Sequence, residues 1–225
     1  MGWLDLVFPK KCVGCGRIGS YVCKDCEVGM WEEEQICPTC CRNSRYGLRH
    51  KYCKGDLEGL VCLWAYEGIA RKIISNAKYK YLFGQLGELV KFDERVEFEF
   101  FRRFLENRPI VVPVPLHPKR LKERGFNQAD IIAEAFAARH KLSFNSHLLL
   151  RVKETRPQVG KKREERLISM SGAFDITPRP PLNLRGGANI LLVDDVWTTG
   201  ATMRECSRVL KKAGVSNIWG FVLAR

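Results

Sequence analysis

The texture of hydrophobic and polar positions changes near residue 59. Before it, Cys, Gly and charged residues dominate, and the apolar content is too low for a core of its own, so residues 1–58 need covalent or metal staples. After it, apolar runs recur at strand and helix periods. Leu60 to Ala65 predicts a strand, and Ile69 to Val90 a helix interrupted, if anywhere, at Gly84. Residues 92–106 set Phe98, Phe100, Phe101, Phe104 and Leu105 among acids and arginines, as an amphipathic helix does. Ile110-Val111-Val112 predicts a short strand, which Pro113 and Pro115 keep from continuing as an ordinary central strand. Asn127 to His140 predicts a helix, with Ile131, Ile132, Ala135, Phe136 and Arg139 on a 3–4 spacing. Ile190 to Val193 predicts a buried strand, Thr202 to Ala213 a helix closed by Gly214, and Ile218 to Ala224 a last strand. Strands alternating with helices from residue 59 to 225 predict an α/β domain with a mostly parallel sheet. The division expected is a Cys-rich module over 1–58 and the α/β domain over 59–225.

Composition adds direction. The 225 residues are 45% hydrophobic and 28% charged, an ordinary globular mixture that excludes long disorder, collagen-like repeats and coiled coil as the main theme. Lys and Arg number 38 against 25 Asp and Glu, a net charge of +13. Residues 109–188 hold 15 basic and 7 acidic side chains, so most of the surplus sits there. Such a surface attracts phosphate-rich partners. The start has no basic stretch followed by an apolar core, and Leu6 breaks the myristoylation pattern. Apolar runs fall far short of the roughly 20 residues needed to span a bilayer. The expectation is a cytoplasmic protein without membrane insertion.

Eight of the ten cysteines lie between Cys12 and Cys53. All but Cys41 fall as Cys12-x2-Cys15, Cys23-x2-Cys26, Cys37-x2-Cys40 and, with a histidine, His50-x2-Cys53. A C-x2-C turn aims two thiolates at one point, and two such turns complete a tetrahedron around zinc. One or two structural ions are expected. Neighbouring pairs could share a metal, or the pairs could be cross-braced, and Cys41 is a competing ligand for the second set. Gly14-x-Gly16-x-x-Gly19 matches a dinucleotide fingerprint only formally, since no strand precedes it. Cys62 and Cys206 sit in apolar contexts and read as core.

The richest chemistry is Ile190-Leu191-Leu192-Val193-Asp194-Asp195-Val196-Trp197-Thr198-Thr199-Gly200-Ala201-Thr202-Met203. A buried strand delivers two acids at its carboxyl end, and a hydroxyl-rich turn then opens a helix. Open α/β sheets bind ligands there. Backbone N–H groups and Thr hydroxyls at a helix N-terminus cradle an anion. Adjacent carboxylates accept hydrogen bonds from a sugar diol and can hold Mg²⁺.

Segment 190–203 resembles the signature of type I phosphoribosyltransferases, which bind 5-phosphoribosyl-1-pyrophosphate (PRPP). Further segments resemble the ComF family of ComFC-like competence proteins. These are Val112-Pro113-Val114-Pro115-Leu116, Arg124-Gly125-Phe126-Asn127-Gln128, Tyr66-Glu67-Gly68 and Ala77-Lys78-Tyr79-Lys80, with the cysteine pairs upstream. The resemblance covers essentially the whole chain. It implies a Rossmann-like, phosphoribosyltransferase-type domain behind an N-terminal zinc module. It places Asp194 and Asp195 against the ribose hydroxyls and Thr198, Thr199, Gly200, Ala201 and Thr202 around the 5′-phosphate. It places Val112, Pro113, Val114 and Pro115 beside pyrophosphate. Thr155, Gln158, Glu165, Arg166 and Gly172 to Phe174 resemble the family's mobile basic segment, although Lys161 stands where the family usually has Leu and Ser169 where it has Asn. Arg151, Arg156, Lys161, Lys162, Arg163 and Arg166 supply that segment's charge.

Two functions follow from the resemblance. One is a PRPP-binding zinc protein of natural transformation, handling incoming single-stranded DNA, with Lys119, Arg120, Lys122 and Arg124 as candidate DNA contacts. A DNA-translocating helicase of the same pathway is then a partner the resemblance suggests. The other is a metabolic, Mg²⁺-dependent phosphoribosyltransferase acting on a small base, amine or ammonia. A third and weaker reading is a zinc-ribbon adaptor with a vestigial transferase domain. No histidine falls in a recognisable catalytic constellation, and no acceptor-recognition element is evident.

Overall fold

A computed structural model describes residues 9–30, 32–80, 84–91, 98–154, 169–178 and 187–225. After a short helix α1 (Lys24–Glu27), the elements are β1 (Gly59–Trp64), α2 (Gly68–Lys80), α3 (Gly84–Leu89), α4 (Glu99–Glu106) and β2 (Ile110–Pro113). They continue with α5 (Pro118–Arg124), α6 (Gln128–His140), β3 (Leu149–Arg151), β4 (Phe174–Ile176), β5 (Asn189–Val196), α7 (Ala201–Lys212) and β6 (Asn217–Ala224).

Four strands form a parallel sheet in the order β1-β6-β5-β2. Parallel strands covered on both faces read as continuous apolar runs rather than alternation. Strand β5 shows why. Leu191 and Val193 join the core under α2, α3, α4 and α6, whereas Ile190 and Leu192 join the core under α7 and the β3–β4 hairpin. The chain runs from edge strand β1 to edge strand β2 and then returns through β5 to β6. Helix α6 covers one face during the return and α7 covers the other, leaving the carboxyl ends of β2 and β5 side by side.

Most predicted elements appear within a residue or two. The helix predicted over Ile69 to Val90 is two helices, with 81–83 between them outside the described residues. On α6 the buried stripe is Ala129, Ile132, Ala133, Phe136 and Ala137. Ile131 and Ala135 lie at its margin, and Arg139 is exposed. Strand β5 runs three residues further than predicted, so Asp194 and Asp195 belong to the strand itself. Its backbone pairs with β6 as far as Val196, opposite Ala224. Pro113 ends β2 opposite Val193, where its missing N–H leaves no gap, because the next residue, Val114, donates to the Val193 carbonyl at 2.8 Å.

Helix α5 was not expected, since it is short and almost entirely charged. Its signals were at its ends. Pro118 occupies its first turn, the His117 side chain accepts from the Lys119 N–H at 3.3 Å, and Gly125 closes it at φ +79°. Among the described residues, no helix is long and apolar enough to cross a membrane.

Candidate functional site

The cysteine pairs assemble sequentially. Cys12, Cys15, Cys23 and Cys26 form one cluster, and Cys37, Cys40, His50 and Cys53 form another, each with its ligand atoms within 4.8 Å of one another. A tetrahedral zinc with Zn–S of about 2.3 Å separates its sulfurs by about 3.8 Å. Cys15 and Cys23 sulfurs lie 3.6 Å apart, and the Cys40 sulfur lies 3.3 Å from His50 Nδ1. None of the ten cysteines forms a disulfide. The clusters fit two structural zinc ions, with no ligand position left open for catalysis. His50 Nε2 faces the Asn43 carbonyl at 3.0 Å, which orients the ring so that Nδ1 turns to the metal. Cys41 lies outside the ligand set.

The backbone prepares each site for a metal. Burial raises the Cys12 thiol, but N–H groups of Cys23, Cys15 and Gly14 outweigh it and bring the pKa down to about 6. Burial likewise opposes, and N–H groups of Cys40, His50 and Thr39 overcome, so that Cys37 falls to about 7. Each cluster thus holds one cysteine ready to ionise. Cys62 and Cys206, by contrast, are core thiols whose burial pushes them well up.

The two ribbons dock differently. The first rests on the helical layer, where Lys10 pairs with Glu88 of α3 at 2.6 Å. The second closes the open edge of β1. Gly47 accepts from the Leu60 N–H at 2.9 Å, and the Glu33 N–H donates to Leu63 at 3.3 Å. Between them the buried Gln35 side chain stands in for a strand residue, donating to the Cys62 carbonyl at 2.7 Å and accepting from its N–H at 3.0 Å. Gly47 sits at φ +69°, and a Cβ there would lie 2.0 Å from the Leu60 oxygen, so only glycine lets the ribbon approach.

The second candidate centre lies at the carboxyl ends of β2 and β5. Because these strands are neighbours in register, Val112 to Pro115 and Asp194 to Thr202 converge. Asp194 and Asp195 are half-buried, Thr198 is exposed, and Thr199 and Thr202 are half-buried. Gly200 precedes α7 at φ +74°, and the Thr199 hydroxyl accepts from the Ala201 N–H at 3.4 Å, so the helix N-terminus opens at this sheet edge, where an anion is favoured. A Cβ on Gly200 would lie 2.1 Å from the Trp197 ring. Trp197 is buried, and its backbone N–H donates to the Ala224 carbonyl at 2.9 Å, which pins the turn to β6.

Further residues close around this turn. Buried Asn127 donates to the Val114 carbonyl at 3.1 Å and to Asp130 at 2.9 Å, fixing the Val-Pro-Val-Pro loop to the start of α6. Of the basic set only Arg151 is described; Thr155 to Arg166 lie outside the described residues. Arg151 lies over the Phe174 ring at 5.3 Å. Burial and then the Arg120 charge push its guanidinium down from its ordinary value, while Asp194 opposes. Arg120 and Asp194 thus both act on Arg151, and the surplus positive charge favours an anion. Arg120 is half-buried, Lys119 pairs with Glu154 at 3.1 Å, Arg124 donates to Gln128 at 2.7 Å, and Lys122 is exposed. Glu205, nearly buried in α7, accepts from the Gly172 N–H at 2.6 Å. Hydrogen bonds from Arg208 hold its carboxyl below the usual glutamate range against its burial.

Residues 3–55 match the model of the double zinc ribbon domain. The chain is 30% identical over 217 residues to competence protein ComFC of Bacillus subtilis (strain 168), covering 95% of this chain and 77% of that protein. It is 28% identical over 221 residues to competence protein ComFC of Streptococcus pneumoniae, covering 92% and 88%. DNA utilization protein YhgH of Escherichia coli (strain K12) is 30% identical over 115 residues, which is 51% of this chain and 48% of that protein.

Proposed function

Because the chain belongs to the family of ComFC competence proteins, we propose that it serves DNA uptake as a PRPP-binding, phosphoribosyltransferase-like zinc protein that handles incoming single-stranded DNA. The relatives' names, competence protein and DNA utilization protein, supply the pathway. The observation that supports the ligand is the register of β2 against β5, which brings two distant motifs together at one sheet edge. In this reading residues 1–58 are a zinc-held module and residues 59–225 the ligand-binding domain.

Each residue has a part. Asp194 and Asp195 accept hydrogen bonds from the ribose diol, and their oxygens suit the Mg²⁺ that accompanies a diphosphate. The N–H groups and hydroxyls of Thr198 to Thr202 hold the 5′-phosphate. The Val112 to Pro115 loop, fixed by Asn127, receives pyrophosphate, with Arg151 and Arg120 countering its charge. Displacing pyrophosphate from the anomeric carbon builds positive charge on the sugar and negative charge on the leaving group. These residues stabilise both by position and electrostatics. The cations of α5 offer a backbone track for a single strand, binding that weakens steeply with salt.

Calorimetric titration of PRPP with Mg²⁺ into the zinc-loaded protein tests the site. Binding is expected, and the Asp194→Asn, Asp195→Asn variant should lose more than about tenfold in affinity, near the 1.4 kcal/mol that such a factor represents. No binding to the intact protein would overturn the reading. Turnover with a small base or amine, together with single-strand affinity that Lys122→Ala leaves unchanged, would favour a metabolic transferase instead.

A further inference from the structure

Arg204 ties the second zinc ribbon to the turn that precedes α7. Arg204 lies four residues into α7 from Gly200, and its N–H donates to the Gly200 carbonyl at 3.0 Å. Helical side chains lean toward the helix N-terminus, so Arg204 reaches back over the turn it follows. Its guanidinium lies over the Trp197 ring at 5.5 Å, on the residue that packs beneath Gly200. The same guanidinium grips the zinc knuckle. Nε donates to the Pro38 carbonyl at 2.7 Å, and Nη2 donates to the Cys41 sulfur at 3.1 Å. Pro38 and Cys41 follow the candidate ligands Cys37 and Cys40, so a metal bound there would fix the partners of Arg204. Cys41 takes φ +59° there, a conformation that a non-glycine residue keeps only when its surroundings enforce it.

We propose that Arg204 is a positioning residue that couples the Cys37–Cys40–His50–Cys53 metal to the phosphate turn at Thr198–Thr202. Among the described residues the first ribbon rests instead on α2 and α3, on the other face of the sheet. A cavity of about 230 Å³ separates α7 from the second ribbon next to the contact, lined by Thr39, Lys54, Asp56, Arg204 and Arg208. Beside that cavity one planar fork, with two hydrogen bonds to the ribbon and its charge over the Trp197 ring, links the two. Coupling between two binding sites is reciprocal. Anion binding should hold the second zinc more tightly, by the factor with which that zinc strengthens anion binding.

This inference rests on the phosphate-site reading above, and the test separates the two. The full-length protein is loaded with Co²⁺, whose visible bands distinguish a four-sulfur site from a three-sulfur, one-nitrogen site. Release to a chelator is timed with and without PRPP and Mg²⁺, and PRPP binding is measured separately by calorimetry. The expected result is about tenfold slower release from the histidine-containing site in the presence of ligand, with the four-cysteine site unchanged. In Arg204→Lys, which keeps the charge but not the fork, the ratio of the two rates should fall to about one. A purely structural Arg204 would change both rates alike and preserve the ratio. Arg204→Met provides the same ratio if the lysine retains part of the contact. PRPP binding without any effect on metal release overturns the coupling alone. Absence of PRPP binding overturns the ligand reading and the coupling with it.

Discussion

The two zinc ribbons share a ligand logic and differ in what they hold. The first, with four cysteines, sits on the helical layer through the Lys10–Glu88 ion pair and a few apolar contacts around Val13 and Val22. The second, with three cysteines and His50, is hydrogen-bonded along β1, buries Ile36 in the sheet's second core and reaches α7 through Arg204. It also receives Arg225 from the chain end, whose guanidinium pairs with Glu33. An edge strand must be covered, and here a metal-held loop does the covering. A zinc ribbon can therefore be an appendage or a part of the sheet, and the ligands do not say which.

Removing one ligand from each ribbon should give the largest contrast. Cys37 is fully buried, and Cys37→Ser should cost roughly 4 kcal/mol, lowering Tm by about 10 °C. Cys15 is exposed, and Cys15→Ser should shift Tm by about half as much. Calorimetric melting with a metal count checks both, and equal shifts would erase the distinction between the ribbons. Gln35→Leu leaves the Cys62 N–H and carbonyl buried without their partner and should cost about 2–3 kcal/mol while both metals stay bound. Metal retention with a lowered denaturation midpoint is the pattern to look for.

On the α7 side, Glu205 adds an acid-sensitive contact. Its folded-state pKa lies below the unfolded value, so its contribution is present above the ordinary glutamate range and fades as pH falls through the lower value. Glu205→Gln should remove about 1–2 kcal/mol at neutral pH and less in acid, as denaturant melts across pH would show. Lys10→Met in the first ribbon should cost under about 1 kcal/mol, because the pair is partly exposed and salt-screened. A larger loss would mean the first ribbon is as deeply built in as the second.

Much of this was legible in local patterns. Strand β5 announced itself because a strand covered on both faces shows an unbroken apolar run. The Cys-x2-Cys turns announced metal because thiolate spacing is a short-range property. What escaped the sequence either lacked a hydrophobic period or depended on partners far along the chain. Helix α5 buries nothing and has no hydrophobic period to reveal it. Gln35 reads as a surface polar residue until β1 supplies its two partners, 27 residues away. Arg204 reads as one more helical cation until Pro38, 166 residues earlier, comes to meet it.

The sequence by itself determined most of the elements, the Cys-x2-Cys and His-x2-Cys pairs and the motif Asp194 to Thr202, because each rests on spacing within a few residues. Only the tertiary structure decided which cysteine pairs cluster, that β2 lies beside β5, and that one ribbon is joined to the turn before α7. Those are choices among long-range pairings, and burial and hydrogen-bond satisfaction across the whole fold select among them. No local pattern carries that information.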